Sequence, residues 1–411
     1  MTGSSRTRLP SRRRAAAFVC MLLFGVAMAS WVTRTPAVRD AVGASTGQMG
    51  LILFGLSVGS MLGVLSSGSL VRRHGTRPVI VVGCTVVVLS VACIGLATAA
   101  GSGPGVFAGM LLMGAGMGLS EIALNIEGAA VEQADGRPFL PVLHGAFSLG
   151  TVVGALLGMA VTGADVPVVW HLLAVAVVLV AMAAWALAGI PSGTGRQPRR
   201  LASEPKVDRP SVWRDGGLVL IAVIVLAMAF AEGSANDWLP ILFVDTHDAD
   251  PVYGSGVFVA FAAMMTLGRF AGGPVVVRFG RRAVMMASAL LAIVGVLTVS
   301  FAPNVAVAAV AVVLWGLGAS LGFPVAISAA GDDPERSAER VSAVATSGYV
   351  AFLVGPPLLG YLGDQVGLPR AMLVVVALLA VAVVCAARLP APARPALEDA
   401  PVPVRVVDGA G

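Results

Sequence analysis

The 411-residue sequence carries 57% hydrophobic and only 12% charged residues, with a mean hydropathy of +0.90. A water-soluble domain carries about 25% charged residues, so the polar surface that a soluble fold of this length needs is missing, and lipid is the solvent that fits. The net charge of +5 rests on 27 basic residues, all but Lys206 arginine, set in short clusters between apolar runs. No basic patch is built, which excludes a nucleic-acid partner.

Cys20, Cys84, Cys93 and Cys385 lie singly inside apolar runs, and His74, His144, His171 and His247 are scattered. Neither a disulfide framework nor a metal site is indicated, no cofactor is expected, and no nucleophile–base constellation marks an enzyme.

A spanning helix needs about 20 mostly apolar residues. In chain order the candidate spans are 15–34, 49–71, 79–99, 105–128, 141–163 and 167–189, then 217–243, 253–277, 283–301, 305–329, 341–362 and 371–387. Arg12, Arg13 and Arg14 before the first run, with Ala27-Met28-Ala29 near its end, imitate a cleavable signal peptide. That segment has a counterpart in the second half of the chain, so a retained first span is expected. Residues 1–189 form one six-helix half and 217–389 the other. Between them, 190–216 is rich in Pro, Ser and charge and reads as a cytoplasmic linker, with an amphipathic stretch near Trp213. The Pro- and Ala-rich tail 390–411 reads as disordered.

Lys and Arg accumulate on the cytoplasmic side of membrane proteins. With the N-terminus inside, 23 of the 27 basic residues fall on inner segments, leaving Arg34, Arg39 and Arg370 outside and Arg269 within a span. Both termini are therefore expected in the cytoplasm, in the cell membrane.

The halves carry matching punctuation. Gly63 corresponds to Gly268, the run Arg73 to Arg77 to the run Arg278 to Arg282, the glycines from Gly114 in span four to those from Gly316 in span ten, and Trp31 to Trp238. Duplicated six-span halves with a site between them near the midplane mark several transporter folds.

The basic loops after spans two and eight resemble the signature of the major facilitator superfamily, commonly G-x-x-x-D-R-x-G-R-[RK]. Here Gly68, Arg73, Gly75 and Arg77 match in one copy and Gly273, Arg278, Gly280, Arg281 and Arg282 in the other, while Arg72 and Val277 stand at the aspartate position. The resemblance implies an all-helical twelve-span fold working by alternating access, with the loop arginines latching the inward gate at helix C-termini, where cations are favoured. Trp31, Arg34 and Pro36, Glu121 and Asn125, Arg137, Pro138 and His144, and Glu232, Gly233, Asp237 and Trp238 are similar to inner-membrane transporters of the YbjJ type, relatives of the fucose permeases. Fucose permeases resemble sugar–proton symporters with an acid on each of spans one and four; here span four offers Glu121 and span one has none. Span five also lacks the Gly-Pro pair usual in drug–proton antiporters.

Gly55, Gly59 and Gly63, and Gly150, Gly154 and Gly158, share helix faces at a spacing of four and read as packing surfaces. A carboxylate at a span centre costs about 2.5–3.5 kcal/mol and is a functional candidate by default. Glu232, with Asn236 one turn on, is the expected proton-coupling residue, since span seven holds no basic residue. Glu121 and Asn125 are expected nearer the substrate. Arg34 is expected either to snorkel to water or to pair with Asp237 at an outer gate, Trp31 and Trp238 to sit in the aromatic belt or to line the cavity, and Glu127, Glu132, Arg137 and His144 to form a surface or gating network. Pro356 and Pro357 with Gly355 make span eleven bendable. The expected activity is proton-coupled movement of a small polar organic solute by a monomer; the alternative is a proton antiporter exporting a drug or secondary metabolite, and a non-transporting receptor would need a larger soluble domain.

Overall fold

A computed structural model describes residues 9–135, 139–196, 211–333 and 336–389. Among them, twelve helices are long and apolar enough to cross a membrane. Spans one to six are Leu9–Val32, Thr46–His74, Thr76–Ala99, Gly103–Asp135, Leu140–Gly163 and Val168–Leu187. Spans seven to eleven are Gly216–His247, Pro251–Phe279, Arg281–Phe301, Val305–Ala330 and Ser337–Val366, and span twelve joins Leu368–Ala371 to Leu373–Arg388. Helices dominate because lipid offers no partner for a free backbone N–H or C=O, so each span closes its hydrogen bonds internally. Span one packs along span five and is among the most buried spans.

The even number of spans puts both described chain ends at one end of the bundle, termed the terminal end here, and the loop after span one at the far end. The repeat is visible in the packing. Span two lies on four as eight lies on ten, three on four as nine on ten, one on five as seven on eleven, and three on six as nine on twelve. The turns after spans two and eight repeat the same backbone: Gly75 has φ 88° and Gly280 φ 79°, a region L side chains avoid. Between the halves, span two meets span eleven and span eight meets span five, two contacts that the repeat exchanges.

Sequence capping matches the helix starts. Ser45 and Gln48 form a capping box on span two, Asp215 caps span seven, Asp250 caps span eight and Asn304 caps span ten. The expected glycine faces are packing faces. A Cβ on Gly55 would lie 2.8 Å from the Phe107 carbonyl oxygen of span four, and one on Gly154 2.7 Å from that of Val26 in span one. Gly59 faces the Leu111 carbonyl with even less room.

Two expectations change. Trp31 and Trp238 are fully buried, so they belong to the core and not to a lipid–water belt; Trp170, Trp185 and Trp213 are the exposed tryptophans. Hydropathy locates a span but not its rotation, and these two rings turn inward. Near Trp213 the helical stretch is a single turn, Val212–Arg214, with Val212 buried and the indole exposed. The tail 390–411, Arg137 and Pro138 lie outside the described residues.

Gly59→Leu should destabilise the purified protein by about 1–3 kcal/mol or more, because span four's backbone cannot yield. Gly273→Ala, where a Cβ meets nothing within 4 Å, should stay within about 1 kcal/mol. Equal melting midpoints for the two variants would contradict this packing.

Candidate functional site

Polar side chains from both halves stand at mid-depth. Glu121 lies 14 residues before Asp135, the end of span four, and Glu232 lies 16 residues after Gly216, the start of span seven. At about 1.5 Å per residue these are about 21 and 24 Å from the terminal end. Small neighbours of Glu232, such as Ala231, Gly233 and Ser234, let span eleven approach, and Phe352 stands 2.9 Å from a Cβ built on Gly233.

Glu232 has a cation that the sequence reading did not give it. Arg269, on span eight, donates from Nη2 to Glu232 Oε1 at 2.9 Å. The guanidinium side chain is 31% exposed and the carboxylate 15%. His144 of span five stands within electrostatic reach of Arg269, across the contact between the halves. The signal for Arg269 was in the sequence as the one arginine inside an apolar span, where charge is paired or functional. Its partner sits on the preceding helix, 37 residues away, which no local spacing reveals.

Glu121, half-buried, makes no ion pair among the described residues. Tyr349, on span eleven in the other half, lies within electrostatic reach of it; the sequence reading did not single this tyrosine out. One turn on, Asn125 buries its Oδ1 without a hydrogen-bond partner, a rare condition for a polar atom and one that a ligand can relieve. Asn236 is half-buried one turn beyond Glu232.

The expected Arg34–Asp237 pair is not formed. Arg34, only 5% exposed, donates to Thr162 Oγ1 at 2.8 Å and to the Val166 carbonyl at 2.5 Å, inside its own half. Burial pushes its guanidinium below the ordinary value, and its Nε has no partner. Asp237 is buried and unpaired among the described residues. The ion pair across the far end is formed further out, between Arg39 in the short helix Thr35–Val42, five residues beyond Arg34, and Asp245 near the end of span seven, eight residues beyond Asp237. Ser45 Oγ donates to Asp364 at 2.9 Å, and Ser255 Oγ to the Thr33 carbonyl at 3.0 Å, tying the same end.

At the terminal end the ion pairs stay within halves. Arg13 and Thr76 both donate to the fully buried Glu127, and Arg13 also reaches Thr194 Oγ1 at 3.0 Å. Glu127 is thus a buried clasp on the Gly75–Thr76 turn, not a surface group. Glu132 accepts from the Phe139 and Leu140 amides and shapes the turn into span five. Arg281 pairs with Asp332 at 2.6 Å, Arg282 reaches the Leu389 carbonyl, and Arg340 pairs with Asp215 at 2.5 Å, which holds that carboxyl below the usual range. Arg73, Arg77 and Arg278 are exposed at this end; Gly273 leaves open space beside its helix, and a Cβ on Gly68 would meet only Arg72 Nη1, at 3.6 Å.

A twelve-helix bundle of two related halves, bolted together at one end and carrying paired and unpaired charges between the halves at mid-depth, is the architecture of a membrane transporter. Comparison with known proteins agrees. Residues 3–128 and 254–407 match the profile of the Major Facilitator Superfamily. An uncharacterized MFS-type transporter of Yersinia pestis is 28% identical over 348 residues, 84% of this chain and 88% of that one. The solved structure of the nucleoside transporter NupG superposes with a TM-score of 0.68 at 14% identity, covering 93% of this chain and 98% of that one. A variant of the E. coli fucose:proton symporter FucP gives a TM-score of 0.61 at 17% identity, covering 92% and 98%. The chain belongs to the major facilitator superfamily and is a multi-pass membrane transporter.

Neutralising either Arg39 or Asp245 should loosen the far end. With a single cysteine placed at Asn236, Arg39→Gln or Asp245→Asn should raise the rate of labelling by a membrane-impermeant thiol reagent from the far side by about three- to tenfold. The reversed pair, Arg39→Asp with Asp245→Arg, should return it toward the parent rate. Unchanged labelling in both single variants would remove the lock.

Proposed function

We infer that the chain is a proton-coupled carrier of a small polar organic solute, working by alternating access, with both termini and the 190–216 linker in the cytoplasm and the two halves, 1–189 and 217–389, as its moving parts. The observation that carries the reading is the pairing pattern: Glu232 is matched with Arg269, whereas Glu121 faces the other half without a cation. A carboxylate between apolar helices must be neutralised inside the protein. Arg269 does this for Glu232; for Glu121 the available neutraliser is a proton. The coupling role therefore moves from Glu232, where the sequence pointed, to Glu121, and Glu232 joins Arg269, Asn125 and Asn236 in the binding role.

The far-end bonds and the within-half pairs at the terminal end support a state open toward the cytoplasm. In that state Glu121 exchanges its proton with the inner compartment. Closing the terminal end requires the halves to rock about the contacts of span two with eleven and of span five with eight, releasing Arg39 from Asp245. Both rocking directions use the same parts, so the driving gradient sets the direction of transport.

Glu121→Gln in proteoliposomes should abolish accumulation driven by a pH gradient while retaining solute exchange between equal compartments. Glu232→Gln should reduce both by about tenfold or more, because it strands Arg269. Uphill accumulation by Glu121→Gln would refute this division of roles. Topology is read separately: a reporter inserted at Ser203 in the linker should label only from the cytoplasmic side, the side where basic residues collect.

A further inference from the structure

The charges at mid-depth are few, and their arrangement says what kind of solute they suit. Arg269 is the cation of the group, and Glu232 occupies only one of its N–H groups, through Nη2 at 2.9 Å. The rest of the planar fork, which is built to grip a carboxylate with two parallel hydrogen bonds, is not used by a described residue. The guanidinium is also the more exposed member of the pair, and it lies on span eight, one of the helices along which the two halves meet. His144 adds a second donor-capable group from the opposite half within electrostatic reach. Beyond the charges, Asn125 Oδ1 is a buried acceptor without a partner, and Asn236 and Tyr349 are half-buried; these suit hydroxyl groups.

Building on the carrier reading above, we propose that the solute is a hydroxylated organic monocarboxylate, its carboxylate docking on the free edge of Arg269 and its hydroxyls on Asn125, Asn236 and Tyr349. A cationic solute would meet Arg269 head on. A dianion such as a phosphate ester would bring two negative charges to one guanidinium already shared with Glu232, and its second charge would go unpaired in a water-poor space. An uncharged sugar would leave the open fork without the charged partner it is shaped for. The charge balance has a consequence for energetics: one monoanion crossing with one proton on Glu121 moves no net charge. Transport then responds to the pH gradient and not to the membrane potential.

The test uses the purified full-length protein and matched probes: D-glucuronate and D-gluconate against uncharged D-glucose and D-glucitol. The carboxylates should raise the melting midpoint where their uncharged counterparts do not. In proteoliposomes with an imposed pH gradient, the stabilising carboxylate should accumulate, and a valinomycin-set potassium potential of either sign should change its initial rate by less than about twofold. Arg269→Gln alone strands Glu232, so the decisive variant is the double neutral Arg269→Gln with Glu232→Gln, which leaves no buried charge unpaired. It should melt as the parent does without ligand but bind the carboxylate about tenfold more weakly or worse, and Arg269→Lys should recover part of the affinity. Stabilisation or accumulation of the uncharged probe in preference to the carboxylate overturns the proposal and leaves the carrier reading standing. So does parent-like carboxylate affinity in the double variant, or a rate that follows the potential. No proton movement with any of the four probes, or with tetraethylammonium as a cationic control, overturns both.

Discussion

Everything in this molecule depends on how little the two halves touch. They meet chiefly along two helix pairs, span two with eleven and span five with eight, and the internal repeat exchanges one pair for the other. At the far end of the first pair the backbones come together at glycine: a Cβ on Gly50 would lie 3.0 Å from the Gly360 Cα and 2.7 Å from the Pro356 carbonyl oxygen. Close backbone approach is how helices gain attraction in lipid, where burial from water contributes nothing. Within each half the helices are knitted by the same device on more faces, so each half is stiff and the joint between them is narrow. Stiff bodies on a narrow joint suit the rocking proposed above.

The narrow joint leaves room for charge at mid-depth, and the protein treats its acids there differently. Glu232 is answered by an arginine on the next helix, whereas Glu121 looks across to the other half and its tyrosine. An ion pair in a poor solvent is strongly coupled to whatever removes one of its members, and an unpaired acid is coupled to protons. On the carrier reading proposed above, the asymmetry between two otherwise duplicated halves is a division of labour: the second half holds the fixed charge pair and the first the exchangeable acid. Glu127, by contrast, shows that burial alone does not mark a moving part. It is fully buried, yet Arg13 and Thr76 hold it within one half, where it shapes a turn.

What was legible in the sequence was whatever lipid enforces along the chain. All twelve spans stand where hydropathy put them, most to within about four residues, because an apolar run of that length has no other stable placement; span four runs seven residues further, to Asp135, and span one starts six earlier, at Leu9. The glycine spacing gave the packing faces for the same reason. What escaped was rotation and partnership. Trp31 and Trp238 face the core, although aromatic residues near span ends ordinarily mark the lipid boundary. Arg34 and Asp237 lie on equivalent spans, yet one turns to Thr162 and Val166 and the other into the bundle, leaving Arg39 and Asp245 to meet instead. Glu232 found its cation on a neighbouring helix. Each of these depends on an angle about a helix axis, a quantity that composition and period leave undetermined when the surrounding residues are apolar on every side.

The far-end lock differs in kind from the buried pair. Asp245 is 37% exposed and Arg39 16%, so the bond between them is made at the edge of the bundle, against the aqueous medium. Ions there screen charges over about 8 Å at physiological strength and about 3 Å in molar salt, and an exposed pair contributes at most about 1 kcal/mol. The Glu232–Arg269 pair stands at mid-depth, away from the far-side medium. On the alternating-access reading proposed above, the resting balance between the two orientations of the bundle is set in part by the salinity of one compartment alone: dilute surroundings hold the far end shut, and brine eases it open.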